Sequence, residues 1–132
     1  MKSLWISLLC FSSIFCENVD SYDNPSFTNL TNANVSEVMS AKYSVIDFYA
    51  EWCHPCRRFA PIFNEVAKQM HNQFKFYKVN IDAEKAITKK FNVSSVPVTI
   101  YLKEGVEVSR EVGYMSKEAF EKKIQKSFSE IK

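Results

Sequence analysis

Apolar positions recur with two different periods along the chain, and the two alternate. Residues 27–30 suit a short strand, and Val35, Val38 and Met39 suit a short helix after it. Tyr43 to Ala50, YSVIDFYA, is nearly continuously apolar, which is the pattern of a strand covered on both faces. Phe59, Ile62, Phe63, Val66, Ala67 and Met70 then fall at helical spacing. Phe74 to Asp82 returns to alternation through Tyr77, Val79 and Ile81, and Ala83 to Phe91 predicts a short helix. Val98 to Leu102 is a further apolar strand, and Glu104-Gly105 turns the chain into Val106 to Val112, so these two strands predict an antiparallel hairpin. Ser116 is placed to cap a last helix with Phe120, Ile124, Phe128 and Ile131 on one face. The order β-α-β-α-β-α-β-β-α predicts an α/β architecture, a mixed sheet with helices on both faces.

The first residues do not join this alternation. Lys2 gives a positive start, and residues 4 to 15 are apolar or small throughout. That run is short for a membrane span of about 20 residues and suits the core of a signal peptide, the other reading being an uncleaved anchor or a buried N-terminal helix. The expected organisation is a signal peptide over 1–16, a loose polar segment over 17–26 that contains Pro25, and one domain over 27–132. Delivery to the secretory route follows as an expectation: the endoplasmic reticulum lumen, the exterior, or an organelle reached that way. No second apolar stretch is long enough to span a bilayer, so no membrane span is expected in the mature chain. Asn29, Asn34 and Asn92 each begin an N-x-S/T triplet, a glycosylation acceptor pattern in that route.

Composition narrows the partners. At 132 residues, 46% hydrophobic and 24% charged, the chain has the material for one ordinary core. A net charge of +2 is too small to argue for nucleic acid or an anionic membrane surface. Of the four cysteines, Cys10 and Cys16 would leave with the signal peptide. Cys53 and Cys56 would then have only each other within the chain.

Those two stand in AEWCHPCRRFAP, residues 50–61. A structural disulfide two residues apart closes too small a loop to constrain the unfolded chain much. Structural zinc takes four ligands, and the other histidine, His71, falls near the far end of the same helix, so no metal site is expected within the chain. Redox chemistry fits better. Cys53 falls where a strand ends and a helix begins, and a helix N-terminus favours thiolate, the reactive form of the thiol. Pro55 suits the first helical turn. Cys56 is near enough for one sulfur to attack a substrate disulfide and the other to resolve the mixed disulfide. His54 either tunes the attacking sulfur toward a more oxidising pair or is a solvated side chain, and the residues leave both open. Trp52 either shields the sulfurs and offers a contact surface or packs in the ordinary way. Asp47 interrupts the most apolar strand. Burial raises a carboxyl's pKa, so Asp47 is placed to carry a proton, the other reading being a structural carboxylate paired with a cation such as Lys78. Pro97 marks a loop or strand start, and Pro61 falls inside the long helix and predicts a kink.

VIDFYAEWCHPCRRFAP closely resembles the active-site segment of thioredoxins. KVNID at 78–82, SVPVTIYLKEG at 95–105 and VGY at 112–114 follow in the expected order, and the resemblance covers about 27 to 131. It implies the thioredoxin fold, a mixed sheet of four or five strands flanked by helices. It implies thiol–disulfide oxidoreductase activity on protein disulfides with no bound cofactor. Cys53 would attack and Cys56 resolve, with Asp47 as the buried proton-transfer carboxylate and Lys78 beside it. Pro97 would follow a cis peptide bond facing the cysteines, and Val96 would offer its backbone to an extended substrate segment. Trp52, Val96 and Pro97 would form an apolar docking surface. Expected partners are proteins with disulfides and a redox partner such as a thioredoxin reductase or another dithiol protein, with the chain a monomer or weak homodimer. An alternative is a thioredoxin-like subunit or adapter of a larger secretory complex that unfolds or translocates cargo. Thioredoxins usually carry Gly where His54 stands, often Trp where Tyr49 stands, and frequently Thr where Val98 stands. Retention of Pro55 points to a reductant, whereas His54 and a secretory address point to a more oxidising pair.

Overall fold

The computed structural model describes residues 26–129. The proposed signal peptide, nearly all of the segment after it and Ile131 lie outside the described residues. Among the described residues, five strands and four helices follow in the order that the periodicities predict: β1 (Thr28–Asn29), α1 (Ser36–Ser40), β2 (Tyr43–Tyr49), α2 (His54–Met70), β3 (Lys75–Asn80), α3 (Lys85–Lys90), β4 (Val98–Lys103), β5 (Val106–Val112) and α4 (Lys117–Ser129). The sheet runs β1-β3-β2-β4-β5. β3 pairs in parallel with both β1 and β2, and β4 pairs antiparallel with β2 and β5.

The central strands explain their own composition. β2 lies between β3 and β4 and is covered on both faces, which is why Val45 to Phe48 are all buried. Alternate residues leave on opposite faces. Ile46 and Phe48 pack with Val79 and Ile100 against Val38 of α1 and Ile87 of α3. Val45 packs with Phe76 and Tyr101 against α2 and α4. On that second face Phe120 meets Phe59 edge-on at 5.1 Å and stacks on Phe63 at 5.7 Å, which fastens α4 to α2. Asp47, one alternation beyond Val45, is a carboxyl on this apolar face.

Some boundaries are narrower than the periodicity predicts. β1 keeps two residues of the expected four. β3 stops at Asn80, whose Oδ1 accepts from the Asp82 N–H at 2.9 Å and starts a turn. α3 begins at Lys85, two residues later than Ala83. α2 continues through Pro61 to Met70 without a break. The Ser116 hydroxyl accepts from the Ala119 N–H at 3.2 Å, as expected of the residue that caps α4. Among the described residues, no helix is long and apolar enough to cross a membrane.

Candidate active site

The site forms where β2 hands the chain to α2. The Cys53 N–H donates to the Ala50 carbonyl at 3.2 Å, closing a turn at the end of the strand. Cys53 is then the N-cap of α2 in extended conformation, and its sulfur accepts from the Cys56 N–H at 3.3 Å. That bond satisfies one of the donors a helix start leaves unpaired, and it directs the positive end of the helix dipole at the sulfur. Pro55 sits in the first turn, where its missing N–H costs little. Cys53 and Cys56 are joined as a disulfide with Cα atoms 5.2 Å apart. Both are nearly buried, among Ala50, Tyr49, Ile81 and Val96.

Two loops converge on the pair. The Val96–Pro97 peptide is cis, with Val96 half-buried and packed on the cysteine cluster. The Pro97 carbonyl accepts from the Gly113 N–H at 2.8 Å, which locks this loop to the β5–α4 connection. Gly113 has φ +101°, a conformation that side-chain-bearing residues rarely adopt. Next to it Tyr114 is exposed and carries the Arg58 guanidinium 4.6 Å over its ring. On the other side Trp52 is 68% exposed, so it is not a packing residue. Its indole N–H donates to Asp82 at 2.8 Å, which fixes the ring of the residue that precedes Cys53.

Behind the pair lies a buried charge couple. Asp47 is 1% exposed, and Lys78, its register partner on β3, holds Nζ 3.9 Å from Asp47 Oδ2. Burial pushes the Asp47 carboxyl up to about 7, with the Lys78 charge acting in the opposite direction. The same burial lowers the Lys78 pKa, opposed by Asp47. The Lys78 ammonium also stands 4.8 Å from the Tyr49 ring, so aromatic faces supply part of what water would. An open pocket of about 180 Å³ has Cys56, Ala60, Tyr49 and Lys78 in its wall. It is large enough to hold water between Cys56 and Lys78. A groove of about 650 Å³ at the far end of α2, beside Glu37 and His71, touches none of these residues.

His54 is exposed on the first turn of α2, and its Nδ1 lies 3.5 Å from Arg57 Nη2. A guanidinium only donates, so Nδ1 accepts in this contact. His71 is at the opposite end of the helix, with Nδ1 2.9 Å from the Lys68 carbonyl. Among the described residues, no three His, Cys, Asp or Glu side chains gather as a metal site would require. Val96 packs on Cys53 and Cys56, Trp52 and the buried Pro97 adjoin them in the chain, and Asp47 pairs with Lys78 on the neighbouring strands. Sequence reasoning did not find Arg58, Tyr114 or Asp82. Each acts through a partner distant in the chain, and each reads locally as an ordinary surface residue.

A strand–turn–helix dithiol beside a cis-proline loop defines a thiol–disulfide oxidoreductase, and comparison with known proteins agrees. The thioredoxin family model matches residues 26–126, and the chain belongs to the thioredoxin family. It is 42% identical over 87 residues to Thioredoxin H4 of Arabidopsis thaliana, covering 66% of this chain and 72% of that one. It is 37% identical over 100 residues to an H-type thioredoxin of Oryza sativa subsp. indica, covering 76% and 75%. Its fold matches the thioredoxin of Malassezia sympodialis with a TM-score of 0.70 at 24% identity, covering 76% of this chain and 90% of that one. A mutant thioredoxin from Halobacterium salinarum NRC-1 matches equally, with a TM-score of 0.70 at 24% identity over 78% and 92%.

Proposed function

We propose that the chain carries electrons from a dithiol partner to disulfides in proteins of the secretory route. The observation that carries this reading is the placement of Cys53 and Cys56 at the start of α2 with Asp47 and Lys78 behind them. In the reduced protein Cys53 is the attacking sulfur, because it caps the helix and receives the Cys56 N–H. Its thiolate attacks one sulfur of a substrate disulfide. A Cys53–substrate bond forms, the substrate S–S bond breaks, and one substrate thiolate leaves. Cys56 then gives up its proton, with Asp47 as the acceptor, and attacks the Cys53 sulfur. The Cys53–Cys56 bond forms and the second substrate thiolate leaves. Two electrons from a partner dithiol, such as that of a thioredoxin reductase, restore the reduced pair.

Trp52 and the Val96 backbone hold the substrate segment, which lies extended beside Pro97. The direction is reduction. Pro55 is kept in the first turn of α2, and in this oxidised form His54 is engaged with Arg57 rather than with the sulfur. Secretory delivery is supported by Lys2 and the apolar run over residues 4–15.

Reduction of insulin disulfides with dithiothreitol as electron source tests the activity, with loss on Cys53→Ser expected. Equilibration with glutathione tests the direction. A reduction potential near about −270 mV is expected, and one near about −180 mV would overturn the reductant reading. A fluorescent protein fused after residue 132 tests the route: it is expected in secretory compartments, and cytosolic retention would overturn that part.

A further inference from the structure

We propose that Thr99 is a positioning residue for Asp47, its hydroxyl donating the hydrogen bond that holds the ionised carboxylate during the resolving step. This rests on the reading of Asp47 as the proton carrier.

Thr99 lies directly opposite Asp47 in the antiparallel β2–β4 pair. Opposed residues in such a pair share a face of the sheet, with Cβ atoms about 4.5–5.5 Å apart. Thr99 is fully buried, and its Oγ1 has no hydrogen-bond partner. Asp47 Oδ1 has none either. Two unpaired polar atoms on opposed, buried residues are uncommon, because each leaves the cost of its burial uncompensated. With the Cβ atoms that close, a turn of Thr99 about χ1 would aim the hydroxyl at the carboxyl, and one bond would then serve both atoms.

The carboxyl's other oxygen has a cation nearby, Lys78 Nζ at 3.9 Å from Oδ2. What the ionised form lacks is a donor at Oδ1. The other polar and titratable groups around it do not fill that place. Tyr101, on β4, has its hydroxyl directed to Met115 Sδ at 4.0 Å. Tyr49 lies on Asp47's own strand and stacks its ring on Lys78. Cys56 lines the open pocket that Lys78 and Tyr49 also line, and in the proposed mechanism it is the source of the proton rather than a donor to the ionised carboxylate. When Asp47 takes that proton, the carboxylic acid no longer needs the donor. The hydroxyl therefore favours the ionised state and keeps the carboxyl in place between turnovers. A hydrogen bond to a charged group of about 1.5 kcal/mol corresponds to about one pH unit.

The test is the pH profile of kcat/KM for insulin reduction by the full chain and three variants. Thr99→Val keeps the shape and removes the hydroxyl, and the ionisation near neutrality is expected to move up by about one pH unit. Thr99→Ser keeps the hydroxyl and is expected to keep the wild-type profile. Asp47→Asn is expected to lose that ionisation. If Asp47→Asn retains it, the proton-carrier reading fails and this proposal falls with it. If Asp47→Asn loses it and Thr99→Val leaves it in place, Thr99 alone is wrong, and its hydroxyl is merely structural. Should Thr99→Val not fold, Thr99→Ala is read in the same way.

Discussion

Lys78 holds its ammonium 3.9 Å from Asp47 Oδ2 because the two residues are opposed in register on β2 and β3, the central parallel pair of the sheet. At that separation, and with the carboxyl 1% exposed, the pair attracts without neutralising the cost of burial. Desolvation is the larger effect on Asp47, so the carboxyl titrates near neutrality and not near 3.8. An acid made only for stability would be better served by a closer partner and more donors.

Stability should therefore depend on pH through Asp47. Its folded pKa, about 7, is above the unfolded value of 3.8. The unfolded chain ionises first, so wild-type stability falls as pH rises through that window and levels above it. Asp47→Asn removes the liability. The variant should match the wild type near pH 3.5 and exceed it at pH 7 by at most roughly 4 kcal/mol, less what Lys78 loses with its partner. Urea denaturation at several pH values checks the slope as well as the size.

Lys78 acts in the opposite direction on the same group. Its charge lowers the Asp47 pKa, so Lys78→Met should raise the ionisation that governs the resolving step by about one pH unit. The pH profile of insulin reduction reads this shift. Activity at pH 6 should fall more than activity at pH 8.5.

Trp52 should separate docking from folding. One residue before Cys53 in the chain, its ring is 68% exposed and fixed by a hydrogen bond to Asp82. Trp52→Ala is expected to lower kcat/KM for a protein disulfide by about tenfold, the loss of one good contact residue. Reduction of a small aromatic disulfide, which does not span the surface, should change little. The Tm should stay within a few degrees of the wild type.

Phe120 is the counterpart, a core residue with no part in the chemistry. It is fully buried and packs on Phe59 and Phe63. Phe120→Ala should cost about 3–5 kcal/mol in urea denaturation. The redox potential of the remaining folded protein should be unchanged.

Much of this was legible in the sequence because two periods and one motif carry it. Buried β2 and β4 read as apolar runs, and the stripe of α2 from Phe59 to Ala67 read as helical. The cysteine pair and Asp47 stood out as residue types at odds with their surroundings, whereas the site roles of Lys78 and Pro97 came only with the resemblance to thioredoxins. The ends of elements were less legible. β3 stops at Asn80 because a side-chain hydrogen bond competes with the ladder, and the apolar pattern through Ile81 hides that. Contacts between elements were not legible at all. Thr99 in VTIYL reads as one polar residue in an apolar strand, and only the register places it against Asp47. Arg58 on Tyr114 and Trp52 on Asp82 likewise exist only once loops far apart in the chain are brought together.

Everything above turns on Cys53 attacking and Cys56 resolving. The most direct test is to mix the reduced Cys56→Ser protein with a disulfide-bonded peptide and to weigh and map the product. One covalent adduct per chain, on Cys53 and stable until dithiothreitol is added, is the expected result. No adduct with Cys56→Ser, or an adduct formed instead on Cys56 in the Cys53→Ser protein, would contradict the account.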